Sequence, residues 1–220
     1  DAVECVPTFS IDPEKVQGIM AGGNIALTEA VEGAEDDYDA GRETIMEHHI
    51  TAQDVVVGIA ASGHTPYVIG ALEAANEAGA ATIAITCNEP APMLTVADIA
   101  IPAVVGPEII AGSTRLKAGT AQKMILNMLS TATMIRLGKV YGNLMVDVKV
   151  TNQKLATRAR GIVERVAGVS ADEAERLLLE TRYQVKPAIV MALCQVSAEE
   201  AYHRLEDAEG MLRLVISGSY

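Results

Sequence analysis

Asp54-Val-Val-Val-Gly-Ile-Ala-Ala-Ser-Gly-His-Thr-Pro-Tyr67 decides the fold class of this chain. Val55–Ala60 is a continuous apolar run, the pattern of a strand buried on both faces of a parallel sheet. A short Ser-Gly-His turn follows, then Thr65 as N-cap and Pro66 as first helical residue. The spacing predicts a helix through Ala78 that stops at Gly79.

Outward from this stretch the same alternation continues. Ala81–Thr86 reads as the next strand, and Ile99–Val105 as another after the turn-rich Asn88–Pro92. Upstream, Val16–Ala21 reads as a strand ending in Gly22-Gly23. Asn24 to about His49 reads as helical with a broken acidic middle, His48 and His49 forming its end. Thr120 to about Leu137 is an apolar helix, with Met124, Met128 and Met134 as core filler. Strands alternating with helices at this spacing imply an α/β fold, a doubly wound parallel sheet with helices on both faces.

After about Val150 the strand pattern ends. Ser170-Ala-Asp-Glu173 and Ser197-Ala-Glu-Glu200 match the capping-box pattern ahead of apolar-periodic runs. Pro187 opens a further helix over Pro187–Leu193. Two parts are therefore expected, an α/β domain over 1–150 and a small helical domain over 151–220.

Composition excludes several classes. A net charge of −12 argues against nucleic acid, whose backbone needs a basic face. With six Tyr, one Phe and no Trp there is little to stack on bases. No apolar run reaches the length of a membrane span. Cys5, Cys87 and Cys194 are odd in number and lack CxxC spacing, so they read as reduced thiols of a cytosolic protein.

The second informative stretch is Gly106-Pro-Glu-Ile-Ile-Ala-Gly-Ser-Thr-Arg-Leu-Lys-Ala-Gly-Thr-Ala-Gln-Lys123. A hydroxyl-rich loop feeding a helix start suits an anion, because first-turn N–H groups have no partner inside the helix. Ser113, Thr114 and Lys117 form one candidate set there, and Ser62, Gly63 and Thr65 form another. A tight βα turn and a surface loop would give the same residues. Two loops of one chemical type at predicted strand ends favour a small phosphorylated ligand bound outside the carboxyl ends of the strands. Glu4, among Ala2, Val3, Cys5 and Val6, is a carboxylate whose burial would raise its pKa and suit it to proton donation. The acidic run around Glu32, Glu35, Asp36 and Asp37 has the look of a solvated face. The four histidines lack metal-ligand spacing, and only His64 falls within a candidate loop.

Several segments together resemble the N-acetylmuramic acid 6-phosphate etherases. They are Asp1-Ala-Val-Glu-Cys-Val-Pro-Thr8, Ala21-Gly-Gly, Ala30-Val-Glu-Gly-Ala-Glu-Asp36, Gly58–Tyr67, Gly106–Lys123 and Gly138–Asp147, in the family's order. The resemblance implies the sugar isomerase (SIS) fold, a three-layer αβα sandwich with a parallel sheet, followed by a small helical, UBA-like domain. It implies cleavage of the D-lactyl ether of a phosphorylated amino sugar in cytoplasmic cell-wall recycling, by a homodimer, with no metal or redox cofactor. By matching motif, Glu4 is the family's proton donor and Glu35 its other catalytic carboxylate. Ser62, Gly63, Thr65, Ser113, Thr114 and Lys117 would hold the sugar and its phosphate.

Two departures from the family's pattern stand out. Position 64 is His where many relatives are expected to carry Arg. The family's first strand and its Gly-Thr-Ser-Gly-Arg loop would precede Asp1, so the 220-residue piece alone is expected to be unstable or weakly active. A non-catalytic sugar-phosphate-binding regulator and a sugar-phosphate isomerase of the same fold are the rival readings.

Overall fold

The computed structural model describes residues 1–218. Two compact units divide the chain, one built from residues 1–17 with 127–220 and the other from residues 18–126. The order of elements begins with α1 (Ala2–Phe9), α2 (Tyr38–Glu47), β1 (Val55–Ile59), α3 (Pro66–Glu77) and β2 (Ala81–Thr86). It continues with α4 (Met93–Val96), β3 (Ile99–Pro102), α5 (Lys117–Arg136), β4 (Val140–Tyr141) and β5 (Leu144–Met145). Five helices close the chain: α6 (Gln153–Ala167), α7 (Ala171–Glu180), α8 (Val185–Cys194), α9 (Ala198–Asp207) and α10 (Leu212–Ser217).

The unit of residues 18–126 is the α/β part. Its sheet is parallel in the order β1-β2-β3, with Val57 opposite Ile83 and Ile85 opposite Ile101. β2, in the middle, holds Ala84 and Ile85 fully buried, whereas Val55 and Ile99 on the outer strands are more than half exposed. The apolar run of β1 is thus only half covered in this sheet, because β1 has one strand neighbour among the described residues. Leu72 of α3, Met93 of α4 and Ala84 form a buried cluster on one face. Gly58 makes that approach possible, since a Cβ there would sit 2.7 Å from Leu72 Cδ1.

A polar hub fixes the entry to β2. The Thr82 N–H donates to Asp98 Oδ2 at 2.9 Å, and the Asp98 N–H donates to Thr82 Oγ1 at 2.9 Å. The Thr82 hydroxyl lies 2.8 Å from Asn76 Oδ1, and the Asn76 amide donates to Val96 O at 2.8 Å. Thr82 is fully buried, and both its N–H and its hydroxyl have partners there, as burial requires.

α2 crosses α3 through two glycines. A Cβ on Gly41 would lie 2.0 Å from Tyr67 O, and one on Gly70 would lie 2.2 Å from Tyr38 O. The Tyr38 hydroxyl bonds Glu73, Arg42 pairs with Glu77 and Thr44 Oγ1 meets Tyr67 Oη at 2.9 Å.

The other unit is helical apart from the β4–β5 hairpin. α8 lies at its centre, with Val185 to Met191 all buried. The N-caps read from sequence are in place: Ser170 accepts the Glu173 N–H and Ser197 the Glu200 N–H, each at 3.3 Å. α8 begins two residues ahead of Pro187, which sits in its first turn where no intrahelical N–H is needed. Among the described residues no helix is long and apolar enough to cross a membrane.

Three expectations need correction. Val16–Ala21 is not a strand; it is irregular, Gln17–Met20 are exposed, and no described strand runs beside it to supply ladder hydrogen bonds. The predicted helix over Asn24–His49 resolves into 3₁₀ turns at Gly23–Leu27 and Ala34–Asp36 followed by α2. Gly33, at φ 76°, breaks it, and His48 does form the helix end. Met134 is buried, but Met124 and Met128 are 55% and 59% exposed, so they fill no core within this chain.

Gly70→Ala is expected to destabilise the α/β unit by about 1–3 kcal/mol in denaturant unfolding, because backbone must move to admit the methyl group. Gly161→Ala, which meets open space on α6, should be neutral or stabilising by up to about 1 kcal/mol. Equal effects at the two positions would contradict the close crossing.

Candidate active site

The candidate site is built at the carboxyl edge of the sheet. The Cys87 N–H donates to Ala61 O at 2.9 Å and the Ala103 N–H to Thr86 O at 2.8 Å, tying together the chain segments that leave all three strands. The Cys87 thiol lies 3.7 Å from Ala118 O, so the start of α5 reaches the same edge. The turn with Ser62, Gly63 and Thr65 thus leaves the sheet at this edge, and the loop with Ser113, Thr114 and Lys117 leads into the helix start whose Ala118 carbonyl the Cys87 thiol meets.

Gly63 is the pivot. It is buried at φ +71°, and a Cβ would fall 2.5 Å from Ala91 Cβ and 2.9 Å from Thr86 Cγ2. Both its conformation and its surroundings exclude a side chain. Its N–H donates to Ala60 O and its carbonyl accepts from Met93, both at 3.2 Å. Exposed Ser62 bends the turn by accepting the His64 N–H at 3.2 Å, while His64 Nδ1 sits 2.8 Å from Ser62 O.

The two helix starts differ in one decisive respect. Thr65 stands at the N-cap of α3 and Pro66 follows, as the sequence predicts, yet the Thr65 hydroxyl makes no capping bond. The start of α3 thus carries no capping side chain. At α5 the Glu108 carboxylate caps instead: Lys117 N–H donates to Oε2 at 3.0 Å and Ala118 N–H to Oε1 at 2.9 Å. These backbone bonds, the Ala118 one first, hold the Glu108 carboxyl below its ordinary range, with the Lys117 charge adding to them. The cap also explains why α5 begins at Lys117, three residues ahead of the expected Thr120. The Lys117 ammonium donates to Val105 O at 2.8 Å, closing the loop on itself. Thr114 is exposed and its carbonyl accepts the Gly119 N–H at 2.8 Å; Ser113 is half-buried.

The two candidate carboxylates belong to different units. Glu35 is exposed in the 3₁₀ turn that Gly33 opens, and that turn lies against α3. Glu4 is in the first turn of α1 in the other unit. It is exposed, so its own unit does not supply the burial expected of it; Cys5 takes the buried position instead.

Known proteins match this chain in two segments and along nearly its whole length. Residues 4–76 match the glucokinase regulatory protein N-terminal SIS domain, and residues 142–188 match the C-terminal lid domain of glucokinase regulatory protein. The N-acetylmuramic acid 6-phosphate etherase of Geobacillus thermodenitrificans is 56% identical over 213 residues, 97% of this chain and 72% of the relative. An etherase 2 of Lactiplantibacillus plantarum is 52% identical over 99% of this chain and 73% of its own length. The Yersinia pestis (strain Pestoides F) etherase is 55% identical over 98% and 73%. The chain belongs to the N-acetylmuramic acid 6-phosphate etherase family.

Two residues of this etherase-family chain escape a reading by sequence pattern. Glu108 lies inside the quoted 106–123 run but precedes its helix by nine positions, too far for any capping-box signature. Gln122, on α5, has its amide nitrogen buried with no hydrogen-bond partner.

The Glu108 cap sets a pH dependence. Because its carboxyl is held low in the folded chain, the stability it contributes is present above the ordinary glutamate range and is lost as pH falls through the lower folded value. In an amide titration, Lys117 and Ala118 should therefore shift together with a midpoint below that of an ordinary glutamate, and Glu108→Gln should abolish the shift. A midpoint at or above the ordinary value would contradict the cap.

Proposed function

We propose that this chain carries out the etherase reaction on N-acetylmuramic acid 6-phosphate, releasing D-lactate and N-acetylglucosamine 6-phosphate. The observation that carries the reading is identity of 52–56% to etherases over 97–99% of the chain, with both glutamate motifs present. In the open-chain sugar the C2 hydrogen lies α to the aldehyde. Glu35 takes that proton and the electron pair becomes an enolate. As the enolate collapses, a C2–C3 double bond forms and the C3–O bond breaks, and Glu4 in its acid form gives its proton to the departing lactate oxygen. Water then adds at C3, handing a proton to the Glu4 carboxylate, and C2 regains its proton from Glu35. Each positioned acid or base contributes about 10²–10⁴ in rate.

The 6-phosphate falls to Ser62, Gly63 and Thr65 and the start of α3, where no carboxylate competes. Ser113, Thr114 and Lys117 then line the sugar. We assign residues 1–150 to sugar-phosphate binding and 151–220 to the small helical domain, and place the protein in the cytoplasm as a homodimer. The free thiols of Cys5, Cys87 and Cys194 support the compartment. Exposed Met124, Met128 and Ile135 on α5 support a second copy. The segments similar to glucokinase regulatory protein domains make binding without turnover the second reading.

Assaying D-lactate while following solvent deuterium at C2 decides the roles. Glu4→Gln should lower lactate release by about 10²–10⁴ yet retain C2 exchange, and Glu35→Gln should lose both. Lactate release at the parent rate by Glu4→Gln would remove its acid role. Binding of the substrate by the parent protein with no lactate formed would favour the regulator.

A further inference from the structure

The helical unit contains a cavity of about 570 Å³ that the etherase roles leave unused. Its lining includes Lys139, Lys149, Arg182 and Lys186, with Asp147 as the one carboxylate. Four cations against one anion leave an excess of three positive charges in a chain whose net charge is −12. That excess is a local design, opposite in sign to the whole molecule.

Its floor is pre-formed. Lys186 is buried on α8, and its ammonium is 2.7 Å from Asp147 Oδ2 and donates to Gly210 O at 2.8 Å. Lys139 approaches the same carboxylate oxygen at 3.1 Å. One carboxylate thus serves two ammonium groups, and half of their charge is unanswered. Burial lowers the Lys186 pKa, with Asp147 opposing the effect and Lys139 adding to it. Lys186, the buried member, is answered by Asp147 and Gly210 O, and the partly exposed Lys139 is the cation left to share that carboxylate.

The rim adds two more cations. Arg182 and Lys149 are exposed and make no side-chain hydrogen bond or ion pair among the described residues. Arg182 sits just past the end of α7, and Lys149 is anchored by its own N–H, which donates to Pro7 O at 3.0 Å. Backbone anchoring fixes where Lys149 leaves the chain while its ammonium remains free for a ligand. The Tyr202 hydroxyl, which donates to Thr181 O at 3.1 Å, adds an oriented polar group to the same lining.

We propose that this cavity is an anion site that takes a phosphate-class dianion, either inorganic phosphate or a phosphomonoester. A dianion answers most of an excess of three charges, whereas a monocarboxylate such as lactate answers only one. Arg182 supplies the forked donor suited to phosphate oxygens, and the three lysines supply point charges around it. The volume is ample for a monophosphorylated sugar. The site stands on its own lining and does not depend on the etherase reading.

The test is an amide chemical-shift titration of the whole 220-residue chain with inorganic phosphate at constant ionic strength. The amides of Lys149, Arg182, Tyr183 and Gln184 should move along a saturable curve. In the double variant Lys149→Ala/Arg182→Ala, whose replaced side chains are exposed, the midpoint should rise at least about tenfold with an unchanged melting temperature. N-Acetylglucosamine 6-phosphate saturating at lower concentration than phosphate identifies a phosphomonoester site, and equal midpoints identify a free-phosphate site; both uphold the proposal. Equal shifts with sodium chloride, a non-saturating response, saturation by D-lactate but not phosphate, or a double variant that titrates like the parent would overturn it. Lactate release from N-acetylmuramic acid 6-phosphate is assayed separately on the same parent and variant proteins, so loss of this site and loss of turnover are separable.

Discussion

The approach of Gly63 to Thr86 and Ala91 is the constraint on which the α/β site depends. With no Cβ and φ at +71°, Gly63 lets the chain leaving β1 turn against the end of β2 and enter α3 at once. Any side chain would push the turn off the sheet edge, and the Ser62 hydroxyl and the α3 amides would go with it. The Cys87–Ala61 and Ala103–Thr86 bonds hold the neighbouring loops to the same edge. The site is therefore a consequence of sheet register, since those bonds continue the β1-β2-β3 ladder past its last paired residues.

Electrostatics then separates two helix starts that look equivalent. A helix terminus contributes about 0.3–1 kcal/mol towards an anion, and up to about 2 kcal/mol when partly buried. At α5 that contribution is already taken by Glu108, whose two oxygens occupy the Lys117 and Ala118 amides. A phosphate there would have to displace a carboxylate of like charge. At α3 no side chain caps the helix, so the same small attraction is available to a ligand. Ser62, Thr65 and the α3 amides each contribute little, and only their convergence makes a site.

Much of this was legible in the sequence where a local rule was sufficient. β2 falls on Ala81–Thr86, α3 begins at Pro66, and Ser170 and Ser197 cap their helices, because period, proline and capping residues act over a few positions. The family's motifs also marked the candidate carboxylates and loops. Illegible were the features decided by distant partners. Val16–Ala21 has strand composition but no described neighbour. The start of α5 depends on a carboxylate nine residues upstream. The exposure of Met124 and Met128 follows from which face of α5 the chain leaves uncovered. The cation-lined cavity draws Lys139 and Lys149, from before and after the hairpin, together with Arg182 and Lys186 far along the chain, a grouping no spacing announces.

The central claim is that the ligand's phosphate is held by the 62–67 turn and the open start of α3, with the start of α5 already filled. Titrating N-acetylglucosamine 6-phosphate into the protein while following backbone amides tests it most directly. The account predicts saturable movement of Gly63, Thr65 and Tyr67, lost in Thr65→Val, with Lys117 and Ala118 keeping their Glu108-bonded shifts. Movement of Lys117 and Ala118 instead, with the 62–67 amides unchanged, would contradict it.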